Sequence, residues 1–438
     1  MSPELPSLCE RPGASRRFLI PAGFTLVEIL VVITIIGVLV GLLVPTVMRA
    51  VNAASEGTYK LEVDTLAEAV EKYHNKYGDY PPDGSSWQIM ERHLRKAFPQ
   101  ILQSELDLLD PDPAKLAGQG WSGNPWNATS GFVAGIRNDF DETVVTPTYT
   151  AADLKVMDPA EALVFFLGGF SSNPQKPFTG DGGPFLIGLI AGQPPFQYNV
   201  SRSNSMFEFK TNRLTLEQVQ SGGTTVNISN DEKEYLGNAA KNDLLPVYLG
   251  RPDLARSAPF VYFDSRTYVF LKGGTKLYAN FYQRTPTIGS LAPPGENFGA
   301  IRPLVSNIAR TPVPVRVASP MTAAEFLAWF RSNLFLEDKK FQVIGPGLDD
   351  IYGGFMAQEL AISPRSGLPD RLAAYWTMPS GDSYIPGSAP SSLDVVVNRL
   401  LLPINLKGQP TYERSRGIAD NAASCTEGRT LMTSLTAP

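Results

Sequence analysis

The sequence predicts an α+β protein. One helix of roughly 50 residues, half in lipid and half amphipathic, packs on an antiparallel sheet of a large, loop-rich head. Three observations point there. From Phe24 to Val44 the chain is almost wholly apolar, with Glu28 its only charge. Beyond Pro45 apolar residues recur at helical spacing. From Asp79 onward, glycine and proline cut the chain into short elements, several rich in aromatic and β-branched residues.

The apolar run is about 21 residues, and at ~1.5 Å per residue it crosses the roughly 30 Å hydrocarbon core of a bilayer. A carboxylate near its start is costly to bury, so Glu28 marks function and needs a partner. Gly37 and Gly41 form a small-xxx-small face suited to close helix contact, although glycine is also simply frequent in membrane helices. Pro45 lacks a backbone donor and is expected to kink or loosen the helix. Past it, Tyr59, Val63, Leu66, Val70, Tyr73 and Tyr77 form one stripe at alternating spacings of four and three. Charged residues fill the other faces, with Glu68 and Lys72 an i, i+4 pair. Gly78 stops the helix, and Pro81 and Pro82 prevent its resumption.

The order of parts separates this start from an ordinary secretory signal, in which the cleavage site follows the apolar region. Here Gly23 precedes the apolar run, so cleavage after it removes a polar leader and keeps the membrane helix. A basic leader with Arg16 and Arg17, then Gly23, Phe24-Thr25-Leu26-Val27-Glu28 and an apolar helix, resembles the prepilin signature of type IV pilins and type II secretion pseudopilins. The segment Leu66 to Pro82, ending Tyr77-Gly78-Asp79-Tyr80-Pro81, is similar to the helix end of the major pseudopilin of type II secretion. The resemblance implies a pilin-like head and a structural subunit. It implies that prepilin peptidase cuts at Gly23, that Phe24 becomes an N-methylated terminus, and that Glu28 is the family's assembly glutamate. Pro45 stands where many pilins carry proline. Other pilin-like subunits, the assembly platform and the inner membrane are the partners it implies. The physical reading agrees: a freed amine at Phe24 is a cation, and Glu28 of a staggered neighbour can meet it, since buried charges survive when paired.

The expected organisation is a leader over 1–23, a transmembrane helix over 24–44, its amphipathic continuation over 45–78 and a head over 79–438. Arg16 and Arg17 hold the leader in the cytoplasm, which places the head in the periplasm or outside the cell. The net charge of −5 becomes about −6 once the leader, with three arginines against two glutamates, is removed. An acidic chain argues against nucleic acid as the main partner. Of the two cysteines, Cys9 lies in the leader, so processing leaves Cys425 alone and excludes an internal disulfide.

In the head, helices are expected at Ser86–Phe98, at Asp158–Leu167 with Asp158 as N-cap and Pro159 first in the helix, and at Thr322–Leu334 behind a Thr322/Glu325 capping box. Phe260–Phe263 and Thr267–Leu271 are expected as strands across a turn at Asp264–Arg266, with further strands at Leu277–Gln283 and Lys340–Ile344. Pro286–Pro320 reads as a linker or surface loop, and the chain from Ser363 as a polar, turn-rich tail.

No catalytic constellation stands out. His74 and His93, the only histidines, read as solvated. Gly180-Asp181-Gly182-Gly183 reads as a turn, and Asp107, Asp110 and Asp112 as a proline-flanked loop. Arg251, Arg256 and Arg266 read as scattered surface charge. No cofactor is expected. The stretch Phe341 to Gly354 is similar to the strand and loop that close many major pseudopilin heads, a loop that can hold calcium there. Asp349 and Asp350 are the hard-oxygen candidates, but Asp350 replaces the family's glycine, which favours a plain Gly-Pro-Gly turn. The leading function is therefore a pilin-like subunit of a secretion pseudopilus or related filament. Two alternatives are a membrane-anchored periplasmic binding module or enzyme, and a DNA-uptake or adhesion pilin.

Overall fold

The stripe at alternating spacings of three and four becomes the buried face of a single helix, α1 (Leu26–Tyr77, 52 residues), in a computed structural model of the chain. The structure describes residues 25–110, 157–187, 196–221, 224–229, 245–251, 257–272, 276–279, 282–283, 300–301, 303–306, 332, 335–347, 350, 375–378, 383–384 and 422–424. The chain divides into two units, Met1–Ala54 and Ser55–Pro438.

In the first unit the helix begins at Leu26 and every residue from 25 to 54 is exposed. The helix passes through Pro45 without interruption. Hydroxyls on the apolar segment turn back onto their own backbone: Thr34 donates to the Leu30 carbonyl at 2.7 Å, and Thr46 to those of Leu42 and Leu43 at 2.9 and 2.8 Å. That satisfies them where a bilayer supplies no partner.

In the second unit Tyr59, Val63, Leu66, Ala69, Val70 and Tyr73 are buried. The face predicted from the stripe is the core face, with Tyr77 packed at its margin. Helices α2 (Trp87–Ala97), α3 (Gln103–Leu106) and α4 (Pro159–Leu167) follow. Helix α4 is buried at all nine positions, which suits its continuous apolar run. Asp158 caps it through the amides of Ala160 and Glu161, and Glu161 returns a hydrogen bond from the Asp158 amide, closing a capping box. The rings of Phe98, Phe165, Phe166, Phe170 and Phe178 pack edge to face around it, which suits aromatic quadrupoles.

The strands are short. Antiparallel pairs are formed by β1 (Phe185–Ile187) with β2 (Phe196–Tyr198), β3 (Leu216–Ser221) with β4 (Thr224–Ser229) and, further on, β6 (Val269–Lys272) with β7 (Lys276–Ala279). Strand β5 (Val261–Asp264) precedes β6. The remaining strands are β8 (Tyr282–Gln283), β9 (Ala300–Ile301), β10 (Val305–Ser306), β11 (Phe341–Gly345), β12 (Tyr375–Met378), β13 (Ser383–Tyr384) and β14 (Ala422–Ala423). Strand β8 pairs with β9, and β11 lies antiparallel between β5 and β14. Strand β10 runs parallel to β12, which pairs with β13. The outcome is the expected α+β class, with small sheets, mostly antiparallel, in place of one large one.

Several expectations change. Phe260–Phe263 and Thr267–Leu271 do not form a hairpin. A 3₁₀ turn at Ser265–Thr267, capped by the Asp264 side chain on the Arg266 amide, directs β6 to β7 while β5 pairs with β11. Within Pro286–Pro320, Ala300–Ile301 pairs with β8 and Val305–Ser306 with β12. Ile301 and Leu304 are fully buried, and the Gln342 side chain grips Leu304 through both its amide and its carbonyl. The segment predicted as a third helix lies outside the described residues except Ser332, as do Asp112, Arg256 and both cysteines. Gly180–Gly183 forms turns, as expected.

Candidate assembly site and the helix–head junction

At the start of α1, Thr25 and Glu28 enclose each other. The Thr25 amide and hydroxyl both donate to Glu28 Oε2, at 2.8 and 2.9 Å, and the Glu28 amide donates back to Thr25 Oγ1 at 3.3 Å. This is the reciprocal T-x-x-E box, so the lone carboxylate of the apolar run is held facing the start of its own helix. The Thr25/Glu28 spacing was the legible signal for it, the same one read at Thr322/Glu325. Gly23 and Phe24 lie outside the described residues. The apolar flank is open: Leu26 is 81% exposed, and nothing lies within 4 Å of where a Cβ would stand at Gly37 or Gly41. Pro45 sits on the same exposed length. By length and composition this helix is able to cross a membrane.

At the other end of α1 the chain turns through Gly78, whose φ of 72° is the left-handed conformation that glycine adopts without strain. Its carbonyl accepts from Lys96 of α2 at 2.7 Å. Arg266 then fastens the turn to the end of β5. Its guanidinium donates to Asp79 Oδ2 at 2.8 Å, the Tyr80 carbonyl at 2.7 Å and Asp264 Oδ2 at 2.6 Å. Arg266 is thus a structural clamp, not scattered surface charge. Two further bonds run the same way: Tyr262 donates to the Pro81 carbonyl, and the Asp264 amide to Asp83. Burial pushes the Asp264 carboxyl up to about 7, against the pull of Arg266.

His93 corrects the expectation of a solvated residue. It is 1% exposed, because α2 turns Met90, His93 and Leu94 inward together. Its Nε2 lies 2.8 Å from the Tyr73 hydroxyl, and its Nδ1 faces Asp79 Oδ2 at 3.5 Å. An acceptor near Nδ1 favours the tautomer with its proton there, leaving Nε2 to accept from Tyr73. Burial lowers the His93 pKa, and Arg266 and Lys96 add to that against the pull of Asp79. The Asp79 carboxyl is held low because His93 and Arg266 outweigh its burial. His74 is half-buried under the Tyr80 ring, stacked at 4.3 Å between centroids.

A second polar tie holds the buried face of α1. Arg213 donates to Glu62 at 2.5 Å and to the Leu249 and Gly250 carbonyls, and its guanidinium lies 4.4 Å from the Tyr248 ring centroid. Asp107 and Asp110 are buried, and Asp107 Oδ1 accepts from the Gln103 side-chain amide at 2.7 Å. Asp350, with φ 63°, has Oδ1 taken by the Ser257 hydroxyl at 2.5 Å and the Ala258 amide at 3.0 Å. It therefore ties its loop to the entry of β5. Asp349 lies outside the described residues. Among the described residues no three His, Cys, Asp or Glu side chains cluster as metal ligands.

The described residues thus define an α+β protein whose long N-terminal helix has an exposed apolar length behind a glutamate-closed first turn and a buried face further on. Residues 21–44 match the family described as the prokaryotic N-terminal methylation motif. Over 75 residues the chain is 36% identical to the type II secretion system core protein G of Pseudomonas aeruginosa, a stretch covering 17% of this chain and 51% of that protein. The chain thus spans about half the length of this relative. No solved structure matches. The two matches are likenesses to the methylation motif over residues 21–44 and to a secretion core protein over about half its length.

Proposed function

We propose that this protein is a pilin-like structural subunit, processed by prepilin peptidase between Gly23 and Phe24 and assembled into a type II secretion pseudopilus or related type IV filament. The observation that carries the reading is the Thr25–Glu28 box at the mouth of a fully exposed apolar helix. Cleavage leaves a terminal amine at Phe24, four residues before the glutamate that ends that box. In a stack of subunits, Glu28 exchanges or shares its contact with Thr25 for the amine of a neighbour, which neutralises both charges in lipid and sets the axial register. Pro45 leaves the Gly41 carbonyl without its helical donor and so gives the apolar length a place to loosen during packing.

On this reading the inner membrane holds the helix before assembly, with its N-terminus cytoplasmic and its head periplasmic. The partners are the peptidase, other pilin-like subunits and the assembly platform, and the role is mechanical, not catalytic. No cofactor is required: Asp350 already serves as an internal tie, so a calcium ion at Asp349 and Asp350 is not part of the proposal. The test is Glu28→Gln, which keeps an acceptor for Thr25 and removes the charge. Filament formation is expected to fail while membrane insertion persists; unchanged filaments would remove the charge pair from the account.

A further inference from the structure

The turn that follows α1 is held from two sides by groups of different proton affinity. From β5 comes Arg266, a permanent cation bound to Asp79 Oδ2 at 2.8 Å. From α2 comes His93, whose Nδ1 faces the same oxygen at 3.5 Å. The opposite ring nitrogen is occupied by the hydroxyl of Tyr73, itself fully buried on α1. The Phe166 ring of α4 closes a further side at 5.7 Å between centroids.

We propose that Tyr73, His93, Asp79 and Arg266 form a proton-sensitive latch, in which charging His93 sets two cations against one Asp79 oxygen and loosens the Arg266 tie between β5 and the turn after α1. The neutral ring fits the site as built. Protonation at Nε2 removes the acceptor to which the Tyr73 hydroxyl donates, in a place where an unmade bond is expensive. It also adds a second positive charge beside Arg266 and near Lys96, the other cation acting on the ring. Asp79 attracts the new charge, but through the oxygen Arg266 already holds. A weakened Arg266–Asp79 contact loosens the Arg266 bond to the Tyr80 carbonyl as well, since one planar guanidinium makes both.

The direction with pH follows from linkage. The pKa of His93 is depressed in the folded state, so the unfolded chain binds the proton more readily once the pH drops below the ordinary value of about 6.5. This contribution to stability is complete above that pH and is lost on acidification. Asp264, which reaches the latch through Arg266, has the opposite sign. Its carboxyl, raised to about 7, contributes stability that is complete at low pH and is lost as the pH rises through that value. Asp79, held low, releases its contribution only below about pH 4. Between pH 7 and 5 the His93 contribution is therefore isolated by comparing wild type with His93→Gln, which stays neutral and keeps a donor and an acceptor.

The experiment is hydrogen exchange by mass spectrometry on the full chain in detergent, comparing the two proteins at matched pH. At pH 7.5 the segment 78–83 is expected to exchange alike in both. At pH 5 it is expected to exchange several-fold faster in wild type than in His93→Gln. Equal exchange at pH 5 would overturn the latch. If His93→Gln does not fold, NMR titration of wild type decides, because the chain has only two imidazoles. His74→Gln assigns the signals. A His93 titrating below 6.5 with coincident shifts in residues 78–83 supports the proposal; one titrating at or above 6.5, or without those shifts, contradicts it.

Discussion

Thr25 Oγ1 and Glu28 Oε2 lie 2.9 Å apart, and the amides of both residues complete the loop between them. The only acid of the apolar run thus has a local partner before any neighbour arrives. Two properties are separable in consequence. Thr25→Val is expected to weaken the first turn by about 1 kcal/mol, the usual worth of an N-cap, while leaving the charge available for assembly. Glu28→Gln is expected to do the reverse. Filament yield, read against helix protection at residues 26–29, distinguishes them.

The tie between Glu62 and Arg213 is nearly buried, with 4% side-chain exposure at the arginine and 17% at the glutamate. Removing one partner leaves a charge without its counter-ion in the core. Arg213→Ala is expected to destabilise the head by about 3–5 kcal/mol. Denaturant unfolding followed by near-UV circular dichroism measures it, and a loss under about 1 kcal/mol would mean that neither the ion pair nor the guanidinium's ring contacts hold the site.

Gly345, on β11, faces Tyr59 of α1 so closely that a Cβ there would run into the Tyr59 hydroxyl and the Phe260 ring. Gly345→Ala is expected to lower the melting temperature. Tyr59→Phe in the same chain is expected to restore part of the loss, because it removes the nearest obstructing atom. Additive losses in the double variant would locate the clash at Phe260.

Asp350 Oδ1 accepts from Ser257 and Ala258. Ser257→Ala is expected to cost about 1 kcal/mol, the net worth of one hydrogen bond. Melting of the full chain is expected to be the same in calcium and in EDTA. A calcium-dependent rise, abolished by Asp349→Ala, would make the loop a metal site.

Periodicity made the long helix legible down to its buried face, because Tyr59 to Tyr73 repeat at a spacing only one helix face satisfies. Asp158 and Pro159 announced the start of α4 for equally local reasons. The partners of β5 were not legible. Asp264-Ser265-Arg266 reads as a hairpin turn, and only the pairing with β11, some eighty residues later, shows that it ends one sheet and opens another. His93 was misread because Arg92, Arg95 and Lys96 give its neighbourhood a solvated look. The inward spacing of Met90, His93 and Leu94 was the better guide. At the apolar start the glutamate was read from its cost in lipid, while its partner Thr25 went unread although the T-x-x-E spacing was present.

The most direct measurement is the mass of the N-terminal peptide of protein extracted from membranes of the producing cell. The account predicts a chain that begins at N-methylated Phe24, and the full-length leader form when prepilin peptidase is absent. A mature chain still beginning at Met1 in cells with active peptidase would contradict it.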